Sequence, residues 1–191
     1  EIYQCDWSSD VCSSDLGGYE NSPQESEIKR LLKKHKFNEV PKGAVLKDGQ
    51  FIYQPNGENN SPDFYVQDSG ITYSLECKSV KKGAKPVYNG GLPKKEYIYI
   101  FCSGKYDQTT IYYGNDVVPE KVRKIYDKLL TKLSTVLDEF KEEFVNCEEN
   151  DRGFGYFLRH MYIQAGKKEK TDYFSHKNRK ACEQNVLNTF R

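Results

Sequence analysis

Three side chains in this sequence have the types and spacing of a hydrolytic metal site: Asp63, Glu76 and Lys78. Asp63 opens the run Asp63-Phe64-Tyr65-Val66, and Glu76 and Lys78 close the run Ile71-Thr72-Tyr73-Ser74-Leu75-Glu76-Cys77-Lys78. Between them, Gln67-Asp68-Ser69-Gly70 carries the Asp, Ser and Gly of a hairpin turn. Side chains alternate along a strand, so Glu76 and Lys78 share one face and Cys77 takes the other. If the hairpin closes, Asp63 comes beside Glu76. Two hard oxygen ligands and one ammonium then converge, an arrangement suited to a divalent cation and an activated water. The alternative is a surface hairpin in which Glu76 and Lys78 form only a same-face ion pair, worth ~0–1 kcal/mol. Against it stands Leu75-Glu76, where a carboxylate arrives at the end of an apolar strand and would be costly to bury alone.

The elements needed to position this group are legible on both sides. Upstream, Asn21 or Ser22 caps a helix with Pro23 in its first turn and Glu25 and Glu27 near its positive end. Ile28, Leu31, Leu32 and His35 mark its apolar face. Pro41-Lys42-Gly43 ends this segment, Phe51-Ile52-Tyr53 predicts a strand, and residues 54–60 predict a turn-rich loop. Downstream, residues 79–95 form a loop rich in Lys, Gly and Pro. Tyr97 to Cys102 is nearly continuous in apolar and aromatic residues, as in a central strand, and Thr109 to Tyr113 predicts its neighbour. Pro119 begins the longest helix, running to about Val145, with an apolar stripe from Val122 through Leu133 to Phe144. Residues 156–164 predict a further strand and 177–190 a final helix. The fold class expected is α/β, a mixed central sheet flanked by helices.

The composition agrees with a folded, polar domain. The chain has 191 residues, 37% hydrophobic and 30% charged, with 15 tyrosines. That length is enough for one real core, and no apolar run approaches the ~20 residues of a membrane span. Residues 1–16, EIYQCDWSSDVCSSDL, have no periodicity and read as the translation of a short-read sequencing adapter joined to a truncated gene, the alternative being a natural Ser/Asp-rich disordered tail. Residues 17–191 are then expected to form one domain, with a core over about 23–114 and a helical, basic region over 119–191. Without the first 16 residues the formal charge moves from +1 to +5, 29 basic residues against 24 acidic ones. Cys77, Cys102, Cys147 and Cys182 remain, spaced neither for zinc nor for a disulfide framework. Reduced thiols in a cytoplasmic protein are expected. His35, His160 and His176 stand singly, which argues against zinc.

The Pro62-Asp63 pair followed by Glu76-x-Lys78 resembles the PD-(D/E)XK nuclease superfamily. Asn60-Ser61-Pro62-Asp63-Phe64, Leu75-Glu76-Cys77-Lys78-Ser79 and Asn89-Gly90-Gly91-Leu92-Pro93 before a strand look most like type II restriction endonucleases. The resemblance implies a restriction-endonuclease-like core and Mg²⁺-dependent, site-specific hydrolysis of DNA phosphodiesters, with Mn²⁺ as a substitute. In it Asp63 and Glu76 ligate the metal and Lys78 serves the attacking water. The backbone carbonyl at Cys77 also faces the metal, and an acidic residue of the first helix completes the site. Glu27 is favoured for that place, with Glu25 as the alternative. Lys81, Lys82, Lys85, Asn89 and Gly90 would meet DNA: lysines on phosphates, the Asn89 amide on a base edge, Gly90 allowing close approach. A solvated lysine loop is the competing reading. The basic cluster Lys167, Lys168, Lys170, His176, Lys177, Arg179 and Lys180 reads as a solvated face rather than a second DNA surface. Implied partners are double-stranded DNA, a second copy of the chain and a cognate DNA methyltransferase as genetic partner, in a bacterial or phage cytoplasmic setting. The rivals are a repair or mobile-element endonuclease of the same fold, and a DNA-binding module without catalysis.

Overall fold

The computed structural model describes residues 23–58, 60–88, 91–156, 162–165 and 168–190. The first helix, α1, spans Pro23–Lys34. Proline suits the first turn, Glu25 faces the helix's positive end and Lys33 and Lys34 its negative end. The helix stops where Lys36 enters the left-handed region (φ 68°) and the Phe37 N–H reaches back to the Leu32 carbonyl at 3.0 Å. His35 lies past this end and is exposed, so it leaves the apolar face expected of it. Ile28 is buried, and Leu31 and Leu32 pack beside it.

Six strands follow in one mixed sheet, ordered as in the sequence: β1 (Asn38–Glu39), β2 (Gln50–Tyr53), β3 (Phe64–Asp68), β4 (Ile71–Val80), β5 (Ile98–Ser103) and β6 (Gln108–Tyr113). β1 pairs parallel with β2, β2–β3–β4 is an antiparallel meander, β5 lies parallel to β4, and β6 returns antiparallel. The two-residue β1 has no legible signal of its own. It exists because α1 delivers the chain alongside β2. The predicted hairpin closes as β3–β4 through Ser69 (φ 50°) and Gly70 (φ 77°). Two consecutive residues at positive φ form the turn whose twist matches the strands it joins. The parallel step from β4 to β5 is made by an irregular crossover, with no helix among its described residues.

Alternation along β4 divides the sheet. Tyr73, Leu75 and Cys77 enter a core with Phe51, Phe64, Val66, Ile98, Ile28 of α1 and Val186 of the C-terminal helix. Burying each large apolar side chain contributes roughly 1.5–3 kcal/mol. The other face carries Tyr99, Phe101 and Tyr112, covered by Tyr173 and Phe174. Asp172 anchors that cover by accepting from the Tyr106 hydroxyl and from the Phe174 and Ser175 N–H groups.

The remaining helices are α2 (Gly114–Val117), α3 (Glu120–Asn146), α4 (Lys168–Thr171) and α5 (Arg179–Thr189). α3 and α5 match the predicted long and final helices. α5 is held against β6 by Arg179, which reaches Gln108 and the Thr109 carbonyl, and by Thr110 donating to Glu183 at 2.8 Å. The predicted strand over 156–164 falls largely outside the described residues, and its described positions carry no strand. The chain divides into two compact units. One holds the described residues of Glu1–Val87, Pro93–Val117 and Gln164–Arg191; the other holds Tyr88–Leu92 and Val118–Ile163. None of the residues of α3 is buried. Among the described residues no helix is long and apolar enough to cross a membrane.

Candidate metal centre

The meander sets the site. The last β3–β4 pair is Phe64 with Leu75, so one further step in register puts Asp63 opposite Glu76. Glu76 lies on the face opposite Leu75, and Asp63, one residue before β3, reaches across to the backbone of β4. Asp63 follows the buried Pro62, whose peptide bond to Ser61 is cis. Its own carbonyl accepts from the Gln54 N–H at 2.7 Å, which ties the entry loop to the end of β2. Asp63 Oδ2 accepts from the backbone N–H of Cys77 at 2.6 Å. The N–H and C=O of one strand residue point to the same edge, so the Cys77 carbonyl also looks toward Asp63, past the end of β3.

Glu76 is 7% exposed. Its Oε1 accepts from Lys78 Nζ at 2.6 Å, the lysine side chain being 19% exposed. This is not the surface ion pair of the alternative reading, because both groups are largely removed from water. Glu76 Oε2 is buried with no hydrogen-bond partner. A buried carboxylate oxygen left this way loses several kcal/mol of solvation unless a cation or water meets it. Burial pushes the Asp63 carboxyl up to about 7, helped by the charges of Glu76 and Glu25 and opposed by the Cys77 N–H and Lys78. Like carboxylates at close range resist joint ionisation. A divalent cation would relieve that repulsion.

Of the two acidic residues weighed on α1, the fold turns Glu25 toward Asp63. Glu25 accepts from the Tyr53 hydroxyl at 2.8 Å and its charge reaches both Asp63 and the buried Cys77 thiol. Burial and Glu25 raise the Tyr53 phenol above its ordinary range. Glu27 points elsewhere, gripped by Arg30 at 2.7 and 2.5 Å. The Arg30 hydrogen bond holds the Glu27 carboxyl below its usual value, with burial opposing. Glu27 is the acid that the sequence favours. Helical rotation decides otherwise, since residues two apart lie on nearly opposite sides.

Sequence reasoning passed over Tyr53 and Gln24. Gln24 is buried and donates to the Ile100 carbonyl at 2.7 Å, fixing the start of α1 over the sheet. The signal for Tyr53 was its place at the end of β2, across the register from Phe64. Tyr97 stands just before β5, and its phenol is raised by burial, by Tyr65 and by Glu76.

Lys81 and Lys82 are exposed on the crossover after β4. Lys85 is exposed too, but its Nζ donates to the Gln164 carbonyl at 2.7 Å, so it also ties down a neighbouring segment. Asn89 and Gly90 lie outside the described residues. In the C-terminal basic cluster Arg179 is structural, paired with Glu183 and stacked over Phe174. Cys77, Cys102, Cys147 and Cys182 are free thiols. Among the described residues no three His, Cys, Asp or Glu side chains form a ready cluster of metal ligands. Mg²⁺ does not require one, since one or two carboxylates with waters and substrate oxygens suffice. The Asp63–Glu76 pair, with the unpartnered Oε2 of Glu76, fits such an ion. Comparison with protein-family models, curated proteins and solved structures finds no match to this chain.

Proposed function

We propose that this chain is a Mg²⁺-dependent, site-specific DNA endonuclease on a restriction-endonuclease-like core, acting as a type II restriction enzyme. The observation that carries the reading is the buried, unpartnered Glu76 Oε2 beside Asp63, with the Lys78 ammonium on the same carboxylate. Buried carboxylates held together at a cost to stability are characteristic of sites that do chemistry. Mg²⁺ (or Mn²⁺), when bound, neutralises charge on the phosphoryl oxygens and acidifies a water. Asp63, Glu76 and the Cys77 carbonyl would hold it, and Glu25 would add a further negative charge from α1. Lys78 Nζ, pre-positioned by Glu76, orients the attacking water and faces the phosphate on which negative charge grows. Cleavage leaves a 5′-phosphate and a 3′-hydroxyl.

The substrate is double-stranded DNA. Lys81, Lys82 and Lys85 follow the site on its crossover and meet phosphates, with Asn89 and Gly90 next in the chain. A restriction role carries with it a cytoplasmic setting, a second copy matching a palindromic site and a partner methyltransferase.

Digestion of a fully sequenced, unmethylated phage DNA with Mg²⁺, followed by reading the fragment ends, tests this. Discrete fragments with common ends are expected, and they report activity, site and overhang together. DNA binding without cleavage in Mg²⁺ or Mn²⁺ would leave a binding module instead. Cuts without a common sequence would favour a repair or mobile-element nuclease.

A further inference from the structure

α3 is the longest helix described, 27 residues or about 40 Å at 1.5 Å per residue. Val122, Tyr126, Leu129, Leu133, Val136 and Phe140 follow one another in alternating steps of four and three along it. That spacing makes one straight apolar seam, the kind a second helix covers. Five of the six are exposed, Phe140 at 52%, and Ile125 beside the seam is 61% exposed. The half-buried Tyr126 meets only the edge of Tyr162 among the ring contacts described. An apolar stripe of this length is not a stable solvent face.

The charges on α3 specify what covers it. Residues 120–132 carry five basic and two acidic side chains, and residues 133–146 carry four acidic and one basic. This order opposes the helix dipole, which favours acids at the N-terminus and bases at the C-terminus. A parallel copy would set like charges side by side. An antiparallel copy sets each basic half on an acidic half, brings Lys132 of one helix near Glu139 of the other, and cancels the two dipoles. We infer that α3 docks antiparallel on α3 of a second copy, making this chain a two-fold dimer through that helix. The inference is independent of nuclease activity.

Sedimentation equilibrium on the full chain tests it, together with a spin label on the exposed Cys147 after Cys5→Ser, Cys12→Ser and Cys182→Ala. A dimer is expected, with the two labels about 40 Å apart, the length of the helix. Leu129→Glu with Leu133→Glu should weaken association at least ~100-fold by placing charges in the seam. Because α3 buries none of its residues, the circular dichroism of the sheet should be kept. Added salt should weaken association as well. A monomer at all concentrations, a dimer indifferent to the double substitution, or labels within about 15 Å as in parallel packing would each overturn it.

Discussion

Asp63 Oδ2 accepts a hydrogen bond at 2.6 Å from the backbone N–H of Cys77, the residue between Glu76 and Lys78. That bond locks the end of one strand to the next and holds Asp63 beside Glu76. It also holds a carboxylate where ionisation is unfavourable, and the first prediction follows from that cost.

Asp63 has its carboxyl raised from 3.8 to about 7. The folded state therefore binds this proton more tightly than the unfolded chain. The associated stability is complete below about pH 3.8 and is lost as pH rises through about 7. Asp63→Asn carries no charge and can still accept from Cys77. In chelator it should match wild type near pH 4 and exceed it above pH 7. The full linkage would be ~4 kcal/mol at 1.36 kcal/mol per pH unit. Partial exposure and coupling to Glu76 reduce that to about 1–2 kcal/mol. Thermal melts across this range check it. A difference that does not vary with pH would contradict the assignment of the cost to the Asp63 charge.

Glu76 and Lys78 are expected to separate metal binding from catalysis. Glu76→Gln should abolish measurable Mg²⁺ binding, whereas Lys78→Met should keep it. Both should lower cleavage by at least ~100-fold, since several kcal/mol of transition-state stabilisation are at stake. Lys78→Met also leaves Glu76 buried without its countercharge, so it should be the less stable variant. The pair's coupling energy should be about 1–3 kcal/mol in a double-mutant cycle. Calorimetric titration with Mg²⁺ and urea melts read both quantities. Near-full cleavage by either variant would remove these residues from the site.

The two acids of α1 should behave differently. Glu25→Gln is expected to weaken Mg²⁺ binding by about 3- to 10-fold, the size of a nearby charge acting through partly screened space. Glu27→Gln loses an exposed contact to Arg30 and should leave affinity within twofold. Tyr53→Phe, which frees Glu25 from its hydrogen bond, should shift affinity without abolishing it. Equal effects of Glu25→Gln and Glu27→Gln would argue against a role for the α1 geometry.

Gly114 has a steric rather than a conformational task. A Cβ there would stand 2.0 Å from the Lys94 carbonyl oxygen, while the Gly114 N–H bonds the Tyr97 carbonyl at 3.1 Å. Gly114→Ala must push the 94–97 segment off the end of β6. Unfolding free energy should fall by about 2–3 kcal/mol, measured by urea denaturation. Gly91→Ala meets nothing within 4 Å and is the control, expected to be neutral.

Much of the fold was legible because its signals are local. The Asp-Ser-Gly turn and the period-two runs on either side predict β3 and β4, and their register alone brings Asp63 to Glu76. The dense apolar run at 97–102 predicts β5 for the same reason, although in the sheet it is the penultimate strand rather than a central one. Other features were not local. β1 depends on where α1 leaves the chain, and the cover of Tyr173 and Phe174 depends on contacts between residues 61 and 73 apart in sequence. By itself the sequence determined which residues alternate, where the chain turns and which three side chains come close together, since strand period and turn chemistry act over a few residues. Only the tertiary structure decided that Glu25 and not Glu27 faces Asp63, that one oxygen of Glu76 is buried without a partner, and that the seam of α3 is exposed among the described residues. Helix rotation against the sheet, desolvation and packing are set by residues far apart in the chain, and no local pattern encodes them.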